Sequence, residues 1–169
     1  VSSVAVASEG KLRAEVTVEA GRTHSETLLS HIEGALSFAG VERPMLTGVA
    51  VSIGPGSFTG LRIGLATAKA IAYGLGIPLV GVPTLAALFP VPGVCTLALM
   101  DAQKGNAYAG LYEWKAGALH EVRPVRVAPL AEAVAEAAAL GKPVVLTGEL
   151  VKKRRARLGE LPENVALAP

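Results

Sequence analysis

Leu46-Thr47-Gly48-Val49-Ala50-Val51-Ser52-Ile53 runs into Gly54-Pro55-Gly56-Ser57, and the reading of that junction decides the fold. The first eight residues form an apolar run of strand length. The corner after them joins two glycines, free to take backbone angles closed to other residues, to a proline that fixes one turn angle. Ser57 stands where a hydroxyl caps the free amides of a helix, and the helical pattern it opens closes near Gly76. Ile77-Pro78-Leu79-Val80-Gly81-Val82 is a second buried run. Strand, helix, strand is the crossover unit that builds parallel sheets, which places the chain in the α/β class.

The corner itself has two readings. Free amides at a helix start can cradle phosphate, which makes Gly54, Gly56 and Ser57 candidates for a phosphate or nucleotide contact. Any sharp strand-to-helix turn needs the same residue types. It is not a Walker loop, because Thr59 stands where the lysine belongs and no Gly-Lys-Ser/Thr follows. It is not a nucleophile elbow either, since Thr59 also occupies the second glycine position of Gly-x-Ser-x-Gly.

The helix after the corner carries two patterns. Gly60, Gly64, Ala68 and Ala72 recur every fourth residue, a smooth strip along which another backbone can approach. Arg62, Leu65 and Lys69 make a mixed stripe at i, i+3 and i+7, suited to a partner or, as the plain alternative, to solvated charges whose stems cover apolar surface.

Composition narrows the function classes. With 169 residues, 51% of them hydrophobic, and a net charge of +2, the chain can bury a full core. Aromatics at 4% and the lack of an aromatic-interleaved basic tract argue against a stand-alone nucleic-acid binder. The one basic cluster, Lys152-Lys153-Arg154-Arg155 with Arg157, reads as a solvated helix face or a phosphate contact. A single cysteine, Cys95 in an apolar run, excludes an internal disulfide and a thiolate zinc site, and is expected as a small buried hydrophobe. No apolar stretch reaches membrane-spanning length, and the first residues lack the order of a signal peptide, so the expected address is cytoplasmic.

In chain order, two short strands joined across Glu9-Gly10-Lys11 predict a hairpin. Thr23 and Glu26 form a capping box, and Leu28, Leu29, Ile32, Ala35 and Leu36 give the next helix an apolar face that ends near Gly40. Beyond the crossover unit a short helix is expected over 84–88. Strands are expected over 94–100, ending in Asp101, then 107–114 and 119–127. A helix over 129–140, a strand over 143–148 and a basic helical segment complete the pattern. The second half thus reads strand, strand, strand, helix, strand, helix. The first reads the same with its opening strand absent, which predicts a duplicated architecture with halves at 1–90 and 91–169.

His24-Ser25-Glu26-x-Leu28-Leu29, Gly54-Pro55-Gly56-Ser57-Phe58-Thr59-Gly60-Leu61-Arg62-Ile63-Gly64 and Gly81-Val82-Pro83-Thr84-Leu85 resemble the bacterial TsaB (YeaZ) family of tRNA threonylcarbamoyladenosine biosynthesis proteins. Asp101-Ala102-Gln103 with Tyr108 is similar to a further family segment, so the likeness spans roughly the first two thirds. The resemblance implies the actin-like ATPase fold, two ribonuclease-H-like halves. It implies a supporting, non-catalytic role beside the larger homologue TsaD, which transfers threonylcarbamoyl to tRNA adenosine, with TsaE joining the pair and tRNA contacted indirectly.

It also implies that the first two helices form a bundle with TsaD or with a second copy of the chain. The expected interface is then Leu28, Leu29, Ile32, Phe58, Gly60, Leu61, Arg62, Gly64, Leu65 and Lys69. No cofactor of its own is expected, ATP or ADP entering only with the partner complex. No metal is expected: where TsaD carries a His-x-x-x-His pair this chain reads Val82-Pro83-Thr84-Leu85-Ala86-Ala87, and His24, His31 and His120 make no ligand set. That also weighs against the peptidase label once given to the family. The competing class is a nucleotide-dependent actin-like or kinase-like enzyme using the Gly54 corner and Asp101. Phosphoryl transfer needs several magnesium-holding carboxylates, and Asp101 alone comes forward.

Overall fold

The computed structural model describes residues 2–18, 24–88, 93–153, 158 and 160–168, with the backbone alone for residues 24–26, 152 and 153. The described residues fall into two compact units, 1–52 with 56–81 and 53–55 with 82–169. Both are α/β.

In the first unit, strands β1 (Ser2–Ser8) and β2 (Lys11–Val18) pair antiparallel. The predicted hairpin turn is present, with both loop residues, Glu9 and Gly10, at positive φ, the geometry whose twist matches the flanking strands. Helix α1 (His24–Ala39) lies on this pair. Ala35 and Leu36 are buried with Val6, and Ile32, Val4 and Val16 pack around them. Gly40 at φ 65° ends α1, and the Val41 amide donates back to the Leu36 carbonyl. The capping box at Thr23 and Glu26 lies outside the described residues.

Strand β3 (Val49–Ser52), helix α2 (Phe58–Leu75) and strand β4 (Leu79–Val82) form the predicted crossover. Val49 N donates to Pro78 O and Ile53 N to Val82 O, a constant offset that makes β3 and β4 parallel. Ser57 caps α2 through the Gly60 amide, and Gly76 in the left-handed region closes it. The β1–β2 and β3–β4 pairs are separate two-stranded sheets.

The second unit has helix α3 (Thr84–Ala87), strands β5 (Cys95–Asp101), β6 (Asn106–Lys115) and β7 (Ala118–Pro129), helix α4 (Leu130–Ala138), strand β8 (Val144–Thr147), helix α5 (Glu149–Lys153) and strand β9 (Val165–Leu167). Its sheet runs β7-β6-β5-β8-β9, antiparallel on the β6 side of β5 and parallel on the β8 side. β5 is central and covered on both faces, so its apolar run is continuous rather than alternating. Leu97 and Leu99 point into a core shared with Ala133, Val134, Ala137, Leu150 and Val151 of α4 and α5. Ala98 joins Leu85 and Tyr112 on the α3 side.

That α3 packing explains why the units divide at 81/82 and not at the expected 90: Leu85 is fully buried against β5 and β6. The units also show the predicted repeat. β6, β7, α4, β8, α5 and β9 follow the order of β1, β2, α1, β3, α2 and β4, and β5 has no counterpart among the described residues of the first unit. β9 was not predicted; three residues pairing with β8 leave too short a pattern to read.

Cys95 is buried, as expected, and burial pushes its thiol up. At the far end of β6, Glu113 takes hydrogen bonds from Lys115 and Lys142, each at 2.9 Å, which hold its carboxyl below the ordinary range. A lowered folded value means the contribution is present above the ordinary carboxylate range and is lost as pH falls through the lowered value. Urea titrations should therefore show Glu113→Gln less stable than wild type at neutral pH, with the gap closing in acid. A gap that stays constant with pH would disprove the linkage.

Candidate functional site

Helix α2 is amphipathic in a way the small-residue strip alone does not convey. At about 100° per residue, Phe58, Arg62, Lys69 and Tyr73 form one stripe along the helix and Leu61, Leu65, Ala68 and Ala72 the stripe next to it. Ala68 and Ala72 are buried, and Gly64 sits against Val51, so the strip faces β3 of its own unit. The neighbouring stripe is open: Phe58 is 74% and Tyr73 92% exposed. The Arg62 guanidinium lies 5.3 Å from the Phe58 ring centroid, a cation held over an aromatic face. Ala66 and Ala70, also exposed, lie beside the larger side chains on the flank away from the buried strip. On α1, Leu29 and Phe38 are exposed as well, at 61% and 77%.

The ten residues expected at the interface divide accordingly. Leu29, Phe58, Arg62 and Lys69 are on the surface, while Leu28, Leu61 and Leu65 are half-buried. Ile32 belongs to the α1 core, Gly64 packs on β3, and Gly60 is exposed beside the Ser57 cap. Tyr73 and Phe38 were missed. Tyr73 was legible, since it lies four residues beyond Lys69 on the same stripe.

The corner shows what its residues do locally. Gly54 adopts φ 111°, the Gly54–Pro55 peptide is cis, and the Gly54 carbonyl accepts from Thr84 N. The Ser57 hydroxyl is taken up by the Gly60 amide at 3.4 Å, and its carbonyl by Leu61 N. Asp101 accepts from the Gln103 amide at 2.9 Å, the side-chain turn of a strand end, and borders a cavity of about 260 Å³ with Asn106, Leu130 and Leu150. Gln103, Lys104 and Gly105 are all at positive φ in the turn that returns to β6.

Among the described residues no three His, Cys, Asp or Glu side chains converge to hold a metal ion. His31 is half-buried on α1 and His120 lies opposite Glu113 on β7. The side chain of His24 and the side chains of the basic run at residues 152–157 lie outside the described residues. No helix of the described residues is long and apolar enough to cross a membrane.

Comparison with known proteins places this geometry. The family model of TsaD, tRNA N6-adenosine threonylcarbamoyltransferase, matches residues 16–163. The chain belongs to this TsaD-like family. Within it, the chain is 30% identical over 149 residues to a Bacillus subtilis tRNA threonylcarbamoyladenosine biosynthesis protein TsaB, covering 86% of this chain and 65% of that one. The Escherichia coli TsaB is 31% identical over 116 residues, covering 66% and 50%. The solved structure of YeaZ from Pseudomonas aeruginosa superposes with a TM-score of 0.80 at 26% identity, covering 98% of this chain and 78% of that one. The chain thus spans two thirds or less of the curated TsaB relatives. The likeness to YeaZ and the TsaD-type match establish the duplicated ribonuclease-H-like, actin-like fold.

Proposed function

We propose that the chain is a non-catalytic subunit of the tRNA threonylcarbamoyladenosine machinery that docks on TsaD through α2 and α1. The observation that carries this reading is the open aromatic and basic face of α2 in a chain of the TsaD-like family. Large aromatics left in water over one face of a helix, beside small residues that permit close approach, suit a protein interface. The TsaB names of the relatives support the pathway.

On this reading the chain holds no cofactor or metal of its own. ATP or ADP enters with the partner complex, TsaE joins the TsaB–TsaD-type pair, and tRNA is contacted through those partners. The reaction is cytoplasmic. The same face is the one that a homodimer would use.

The test is sedimentation of the chain alone and then with purified TsaD at matched salt. A mixed species that replaces any self-dimer is the expected result. Two folded proteins that never form a mixed species would sink the reading, and binding of magnesium-ATP by the isolated chain would overturn the assignment of no cofactor.

A further inference from the structure

We infer that the bulged outer strand β7, locked to α4 by Arg123 and Arg126 on Glu136, is a guard that keeps the second unit's sheet from adding a strand of another copy of the chain. The inference goes beyond the subunit reading and stands without it. Among the described residues β7 pairs with β6 alone, so its other side is a sheet edge. At 12 residues it is about twice the usual strand, and it leaves Val122 and Val127 in water. A long edge of that kind is a template for pairing between molecules. The opposite edge, β9, has three residues and offers little to a neighbour.

The register shows how the edge is closed. Ala109 stands opposite Arg126 and Leu111 opposite Arg123, so two residues, Pro124 and Val125, face Gly110 alone. One step on, Tyr112 is opposite Glu121 and Val122 has no counterpart. Each extra residue bends the strand and sharpens its twist, which spoils the straight row of donors and acceptors that an incoming strand needs. Pro124 removes one donor outright. The first bulge does a second thing. Residues three apart on a regular strand point to opposite faces, yet Arg123 and Arg126 both reach Glu136 of α4, because the extra residue turns them to the same side. Arg126 also holds Glu132 at 3.2 Å. A single surface ion pair contributes little, but here one carboxylate is shared by two arginines and one arginine by two carboxylates. With Pro124, the arginine stems close a narrow gap over Ala109, Leu111, Ala133 and Ala137, so the clasp holds the bulge against the core.

The experiment follows hydrogen exchange at the β7 amides that face away from β6, at rising concentration of the whole chain. Self-association through any other surface does not register there. In the wild type this exchange should be independent of concentration. A Pro124→Val, Glu136→Gln variant restores a ladder donor and weakens the anchor of both arginines. Its β7 amides should gain at least about 10-fold protection as concentration rises. Glu136→Gln alone keeps the shape of a partly exposed side chain, and it decides the matter if the double variant does not fold; it should gain a smaller protection. Concentration-dependent protection in the wild type would mean that the edge is already open. Folded variants as unprotected as the wild type would mean that neither bulge nor clasp guards it. Either result overturns the inference and leaves the subunit reading untouched.

Discussion

Gly148→Ala will unfold the second unit under conditions where the wild-type chain is folded. Gly148 links β8 to α5 at φ 107°, a backbone angle that L side chains rarely adopt. A methyl group built there overlaps the Leu99 carbonyl oxygen and stands 3.1 and 3.2 Å from the Leu99 carbonyl carbon and amide nitrogen. Those are backbone atoms of the central strand, hydrogen-bonded to β6 on one side and parallel to β8 on the other, so they cannot rotate away as a side chain would. The strain of the angle and the displacement of β5 together cost roughly 4 kcal/mol or more, a large fraction of a domain's stability. Circular dichroism melts should show the loss directly. A melting temperature equal to wild type would mean that β5 shifts freely at Leu99, contrary to its burial.

The same residue shows what the sequence can and cannot disclose. Gly54 and Gly148 follow the corresponding strands β3 and β8 and adopt nearly the same angle, 111° and 107°. The first was legible because Pro55, Gly56 and Ser57 surround it with turn and cap chemistry, and the helix bounds at Ser57 and Gly76 followed. At Gly148 one glycine stands between an apolar run and Glu149, so its constraint lies in the approach of β5, which is distant in sequence. The hairpin at Glu9-Gly10 was readable for the opposite reason: a two-residue loop is a local matter.

The candidate site was legible in part. A four-residue spacing marks a smooth strip but does not say what lies against it, and for Gly64, Ala68 and Ala72 the neighbour is the chain's own unit. Likewise Leu65 looked like an interface residue, yet it is half-buried, so a glutamate there would disturb the unit before it reported on any partner. Ile32 follows the same logic, since an apolar helix position is first claimed by the sheet beneath it.

Tyr73 is therefore the informative position. At 92% exposure its ring contributes nothing to the core, and Tyr73→Ala should leave the melting temperature within error of wild type. If the α2 face docks on TsaD, the same truncation removes a rigid, amphipathic anchor of the kind that dominates interface energetics, at a cost of about 2 kcal/mol, or roughly 30-fold in affinity. Phe58→Ala should match it and also release the Arg62 guanidinium from its ring, so the double truncation should lose more than the first alone. Because the two side chains are about 22 Å apart along the helix, their losses should be nearly additive. Calorimetric titration of TsaD with each variant measures this. Truncation of both rings with binding as tight as wild type would move the docking surface off α2, since the two rings stand at the two ends of this face.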